Sequence, residues 1–211
     1  MEKINYQKEL DILLNSIKDI GKRPRLLLHS CCGPCSSYCL QYLKDYFEIT
    51  VLYYNPNIYP EEEYDLRLNE QKKIIKCLNR EYDINIDLIT LLYDHSEFLS
   101  ETLGYENEKE GGIRCKKCYE FRLKKTAQLA EKGGYDYFGT TLTVSPHKNA
   151  MILNSVGNEA MININNKVLW LPSDFKKKDG YKKSIELSKK YELYRQNYCG
   201  CEFSIYHDKQ K

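Results

Sequence analysis

The sequence has 211 residues, 42% of them apolar and 29% charged, which supplies enough apolar side chains for a packed core and excludes a disordered chain. Lys and Arg exceed Asp and Glu by only two (32 against 30), so overall charge does not single out a nucleic-acid binder. No run of about 18 apolar residues occurs, and the start, Met1-Glu2-Lys3-Ile4-Asn5, lacks a basic stretch leading into an apolar one, so a cytoplasmic protein without membrane contact is expected.

Apolar residues at helical spacing over 4–20, among them Leu10, Leu14 and Ile17, predict a helix stopped by Gly21. Arg25-Leu26-Leu27-Leu28-His29-Ser30 has the length and apolar continuity of a buried parallel strand. A cysteine-rich turn and a helix over about 35–46 follow. Glu48 to Tyr54 reads as a second strand ended by Asn55-Pro56-Asn57, and 61–80 as a charged helix. A third strand is expected over Ile84–Leu92, and a short helix over about 95–103. A helix over about 115–132 closes at Gly133-Gly134, and Tyr135–Thr141 forms a fourth strand. Ser145-Pro146-His147 is a turn or helix start, a helix runs to about 161, and Val168–Leu171 is a fifth strand. A helix over about 180–195 completes the series. Strands alternating with helices predict an α/β fold: a Rossmann-like (HUP-type) parallel sheet with helices on both faces. A single domain over 1–211 is expected, its last part (about 174–211) a basic helical segment.

Nine cysteines, an odd number without an export signal, point to metal ligands or redox thiols rather than structural disulfides. Cys31, Cys32 and Cys35 follow the first strand, at the carboxyl edge where a parallel sheet places its ligands and where a helix N-terminus favours thiolates. Adjacent Cys31 and Cys32 are candidate metal ligands, whereas Cys39 and Cys77 fit as small buried hydrophobes. Cys115-Lys116-Lys117-Cys118 opens a helix, and its two sulfurs share a face. Joined by Cys31 and Cys32 they would give four thiolates, suited to zinc or an iron–sulfur cluster, with Arg114, Lys116 and Lys117 offsetting the charge. Near the end, Cys199-Gly200-Cys201 can close a strained, labile disulfide, or else form a second metal half-site.

Three further clusters are polar. Tyr54, Asn55 and Asn57 end the second strand and either hold a polar ligand or simply form a turn. His147, after the fourth strand, is a candidate to donate a proton or bind phosphate, or a helix cap. The stretch from Lys176 to Arg195 carries eight basic residues, Lys177 among them, interleaved with Tyr181, Tyr191 and Tyr194, and suits a polynucleotide.

Six motifs in order resemble the epoxyqueuosine reductase QueH family. They are His29-Ser-Cys-Cys-Gly-Pro34, Tyr54-Asn-Pro-Asn-Ile58, Arg114-Cys-x-x-Cys-Tyr-x-x-Arg-Leu123, Thr140-Thr-Leu-x-x-Ser-Pro-His-Lys148, Asp174-Phe-Lys-Lys-x-x-Gly-Tyr181 and Tyr194-Arg-Gln-x-Tyr-Cys-Gly-Cys201. The resemblance implies an oxidoreductase that reduces epoxyqueuosine at the wobble position of a tRNA to queuosine. It implies a 4Fe-4S cluster on Cys31, Cys32, Cys115 and Cys118, a further adjacent iron for which Cys35 is a candidate ligand, and no cobalamin. It makes Cys199 and Cys201 the redox-active pair, leaves the electron donor unidentified, and offers Tyr54, Asn55, Asn57, Lys176, Lys177, Tyr181 and Arg195 as substrate-binding candidates. Two rivals stand beside it. A tRNA-thiolating ATP pyrophosphatase would need a Ser/Gly-rich phosphate loop where this chain has Ser30-Cys-Cys-Gly-Pro-Cys35, and a non-enzymatic zinc module binding RNA would be colourless.

Overall fold

The computed structural model describes residues 4–208. The chain runs α1 (Tyr6–Ile20), β1 (Arg25–His29), α2 (Gly33–Leu43), β2 (Glu48–Tyr53), α3 (Glu61–Tyr82), β3 (Asp87–Thr90), α4 (His95–Glu101), α5 (Ile113–Lys132), β4 (Tyr137–Thr140), a 3₁₀ turn (Thr141–Val144), α6 (Ala150–Asn163), β5 (Leu169–Trp170), α7 (Gly180–Lys190) and α8 (Glu202–Asp208). The strands pair in the order β3-β2-β1-β4-β5, all parallel, with Leu27 level with Thr50 and Phe138. β1 therefore lies centrally, and its carboxyl end opens between β2 and β4, the topological switch point of such a sheet.

Alternation along the strands sends apolar residues to two faces. Leu27, Leu52 and Phe138 pack with Phe121 and Leu123 of α5 and Leu153 and Val156 of α6. Leu26, Leu28 and Val51 pack with Leu10 and Leu14 of α1, Leu40 of α2, Ile74 of α3 and Leu187 of α7. Helices thus cover both faces, as the strand–helix alternation predicts. No helix among the described residues is long and apolar enough to cross a membrane.

The differences from expectation have local causes. β3 is shorter than Ile84–Leu92: the Asn79 side chain bonds both the N–H and the C=O of Ile86 in the turn before it, and Leu92 beyond it is 91% exposed. β5 holds two residues. The helix expected over 180–195 stops at Lys190, and Glu192 turns through a positive φ of 50°. α8 follows the last cysteines and was not expected. α2 starts two residues before the predicted boundary, with Pro34 in its first turn, where a missing N–H costs nothing.

Gly33 is required by packing. A Cβ there would stand 2.6 Å from the Glu70 carbonyl oxygen of α3. Gly33→Ala is expected to lower stability by about 1–3 kcal/mol through forced backbone movement. A chemical-denaturation midpoint equal to wild type would contradict that close approach.

Candidate metal and redox centre

Three cysteine groups, far apart in sequence, reach one end of the sheet. Cys32 is the N-cap of α2, in extended conformation, and Cys35 lies in the first turn, three residues on and on the same side. The sulfurs of Cys31, Cys32 and Cys35 accordingly lie within 4.8 Å of one another, the only such group of His, Cys, Asp or Glu ligand atoms among the described residues. Hydrogen bonds from Cys31 and Cys35 hold the Cys32 thiol well below its usual range, helped by the Arg67 charge and a 3.0 Å bond from Gln196 Nε2. The hydrogen bond to Cys32 pushes the Cys31 pKa up, and bonds to Cys31 and then Cys32 push that of Cys35 well above its usual range.

Cys115 and Cys118 sit in the first two turns of α5. They belong to the same buried cluster as Cys31, Cys32 and Cys201, though outside the 4.8 Å group. The Gly111 N–H donates to Cys115 Sγ at 3.2 Å, and burial raises the Cys118 pKa to about 12. Burial likewise raises Cys201 to about 11, and all nine cysteines are free thiols. The Cys199–Cys201 turn is held by its backbone. Arg67 Nη1 donates to the Cys199 carbonyl at 3.1 Å, and the Tyr59 N–H donates to the Gly200 carbonyl at 2.8 Å. Gly200 has φ of +115°, and a Cβ there would meet Arg67 Nη1 at 2.8 Å, so only glycine fits between the two thiols.

The surroundings are cationic to an unusual degree. Arg67, Arg114 and Arg122 are each 1% exposed. Arg67 pairs with Glu63 at 2.6 Å, but Arg114 and Arg122 form no ion pair among the described residues. Arg114 donates only to the carbonyls of Tyr105, Glu106 and Glu108, leaving its Nε and Nη2 without partners. Arg122 donates to the Cys118 carbonyl and to Asn55 Oδ1. Burial opposes the charge of Lys148, yet Cys199, Tyr119, Cys31 and Cys35 around it outweigh that and hold its pKa up. Buried cations without carboxylates are costly unless anions face them. The thiol groups beside them are the available anions, so the residues present fit a thiolate-bound, negatively charged metal group, and the donor set fits an iron–sulfur cluster.

A cavity of about 490 Å³ opens onto this centre, lined by Cys31, Cys35, Lys148, Tyr181, Gln196 and Cys199 among others. His147 and Arg195 also line it; His147 is exposed at the rim, and the Arg195 guanidinium lies 5.3 Å over the Tyr181 ring. The remaining predicted residues are not in this cavity. Tyr54 donates to Glu97 at 2.5 Å and faces a different depression. Asn55 donates to the Ser30 carbonyl at 2.8 Å while accepting from Arg122, and buried Asn57 has an unpartnered Oδ1. Lys176 pairs with Asp174 at 2.6 Å and, with Lys177, lines an adjoining groove. Of the three cations expected to offset cluster charge, Arg114 is buried, whereas Lys116 and Lys117 pair with Glu120. Cys39 is buried and bonded to the Cys35 carbonyl, and Cys77 packs at the edge of the other core.

Sequence reading assigned no role to Arg67, Arg122, Lys148, Gln196 or His29. Arg122 carried a signal, lying one helical turn after Cys118; Arg67, within a charged helix, carried none. His29 Nε2 donates to the Tyr54 carbonyl at 3.1 Å and its Nδ1 accepts from Thr140 Oγ1 at 3.0 Å. Burial, then the Arg122 charge, push its pKa down to about 3, so it is a neutral stitch across the ends of β1, β2 and β4.

The family model described as "Epoxyqueuosine reductase QueH" matches residues 26–207. Proteins of that name resemble the chain over most of its length. The one from Staphylococcus epidermidis is 42% identical over 205 residues, covering 96% of this chain and 85% of that protein. The one from Streptococcus pyogenes is 39% identical over 203 residues (96% and 79%). The one from Thermotoga maritima is 33% identical over 189 residues (88% and 93%). A solved structure, the U34-tRNA thiolase NcsA from Methanococcus maripaludis with its [4Fe-4S] cluster, superposes with a TM-score of 0.48 at 14% identity, covering 93% of this chain and 67% of that one.

Proposed function

This chain belongs to the epoxyqueuosine reductase QueH family, and from that premise we propose that it reduces epoxyqueuosine to queuosine in the wobble position of tRNA. The observation that carries the reading is that Cys31, Cys32, Cys115, Cys118 and Cys201 share one buried cluster, with Arg114 and Arg122 buried without an ion pair among the described residues and a cavity lined by Cys31, Cys35 and Cys199 beside it. When bound, a 4Fe-4S cluster on Cys31, Cys32, Cys115 and Cys118, with an adjacent iron for which Cys35 is a candidate ligand, supplies single-electron transfer and Lewis acidity.

The net chemistry balances on the chain's own thiols. Converting an epoxide to an alkene breaks two C–O bonds, consumes two electrons and two protons, and releases the oxygen as water. Oxidising the Cys199 and Cys201 thiols to a disulfide forms one S–S bond and releases two electrons and two protons. An external donor of two electrons, together with two protons from water, returns the disulfide to thiols for the next turnover. Arg67 holds the turn that carries the pair, through the carbonyls of Tyr198 and Cys199, while leaving the sulfurs free to react. Lys148, half-buried on the cavity wall with Cys31, Cys35 and Cys199, offers an ammonium for a developing negative oxygen.

An ATP pyrophosphatase reading is not favoured. The space a diglycine loop would give a phosphate is taken up here by cysteines, and the side of Gly33 that lacks a Cβ is packed against the α3 backbone. The test is an oxygen-free reaction with tRNA from cells blocked before the last reduction, followed by nucleoside mass analysis. Loss of one oxygen from epoxyqueuosine is expected. Unchanged epoxyqueuosine with iron-loaded protein and a strong reductant would refute the assignment.

A further inference from the structure

The thiol cavity continues past its rim. A second groove of about 880 Å³ begins beyond Pro146, His147, Lys148 and Tyr181, the four residues that line both spaces. Its walls come from the start of α1 (Asn5, Tyr6), the first turn of α6, and the segment that carries Asp174, Lys176 and Lys177. Asp174 is the only carboxylate lining it, and Lys176 neutralises that carboxylate at 2.6 Å. His147, Lys148 and Lys177 form no ion pair among the described residues, so the groove carries a net positive charge. The amino end of α6, with no acid in its first turn, adds a partial positive charge on the same side.

We propose that this groove carries the phosphodiester backbone beside the modified nucleotide, with a phosphate on Lys177 and an adjoining base against Tyr181. The inference deepens the proposed function and rests on RNA being the substrate. A base can reach thiols at the bottom of a 490 Å³ cavity only when it is turned out of its stack, and its two flanking phosphates then stay at the rim. The rim toward the groove is Pro146–Lys148 and Tyr181, and the groove-lining lysine outside that rim with no ion pair among the described residues is Lys177. A cationic track with aromatic faces is the usual answer to a single-stranded backbone.

The test is binding of unmodified tRNA to Lys177→Glu across a salt series, beside Lys182→Glu as a control. Lys182 is also exposed and forms no ion pair among the described residues, on α7, but it lines neither space. Lys177→Glu is expected to weaken binding about tenfold at moderate salt and to reduce the slope of log affinity against log salt by about 1, with Lys182→Glu within about twofold of wild type. Equal weakening by both variants, or none by Lys177→Glu, would overturn the groove. Circular dichroism checks that each variant is folded. A second readout is chemical acetylation of lysines: bound tRNA is expected to protect Lys177 but not Lys182, and protection absent from Lys177 would also overturn it. Failure of the reductase reading looks different: wild-type protein would bind tRNA and leave epoxyqueuosine unreduced.

Discussion

Cys115→Ser is expected to lose its iron and, with it, turnover of epoxyqueuosine tRNA. Cys115 lies where α5 begins, its sulfur bonded by the Gly111 N–H at 3.2 Å and its pKa raised by burial in the metal-free thiol form. Ionising such a thiol is favourable only when a metal takes the charge, so metal binding and deprotonation occur together. A serine hydroxyl at the same place ionises far less readily and is a poor ligand for iron beside soft thiolates. Loss of a ligand should exceed the 10- to 100-fold cost typical of losing an outer partner, so iron occupancy should fall on the order of 10²-fold or more. Turnover should fall with it, while far-UV circular dichroism stays unchanged. Full iron content and full activity in Cys115→Ser would remove the C-x-x-C pair from the centre.

Cys199→Ser and Cys201→Ser are expected to separate the other way. Each should keep wild-type iron content and visible spectrum, because the pair is assigned to redox exchange rather than to the cluster. Each should lose steady-state turnover by on the order of 10³-fold or more, since one thiol cannot release two electrons by closing a disulfide. Cys201 is buried with its pKa raised to about 11, and the turn that carries both sulfurs is fixed by Arg67 and by the Tyr59 N–H. If either variant turned over at the wild-type rate, the pair would be structural. If iron fell in parallel with activity, the pair would belong to the metal centre.

Much of this architecture was legible because its signals are local and repeated. The run Leu26-Leu27-Leu28 could only be a strand buried on both faces, and it is the central one. The motifs that resemble the QueH family lie at strand ends and helix starts, and the matched range 26–207 includes them all. What stayed hidden depends on tertiary contact. Ile84 and Ile86 read as strand, yet Asn79 captures the backbone of Ile86 in a turn. In the sequence His147 is the more conspicuous proton carrier, but the turn leaves it exposed and Lys148 half-buried on the wall of the thiol cavity. Arg114 was expected to offset thiolate charge and Arg122 stood one turn after Cys118, but Arg67 looked like an ordinary charge on a long, polar helix, and that all three are buried follows only from the fold. The tight grouping of Cys35 with Cys31 and Cys32 follows from the first turn of α2, whose starting residue the sequence did not fix.

The most direct measurement is the iron and acid-labile sulfide content of the full-length wild-type chain purified without oxygen, read together with its visible spectrum. The account predicts a brown protein with iron and sulfide in roughly equal amounts, about four of each per chain, plus any adjacent iron. A colourless protein holding zinc and no sulfide would contradict it.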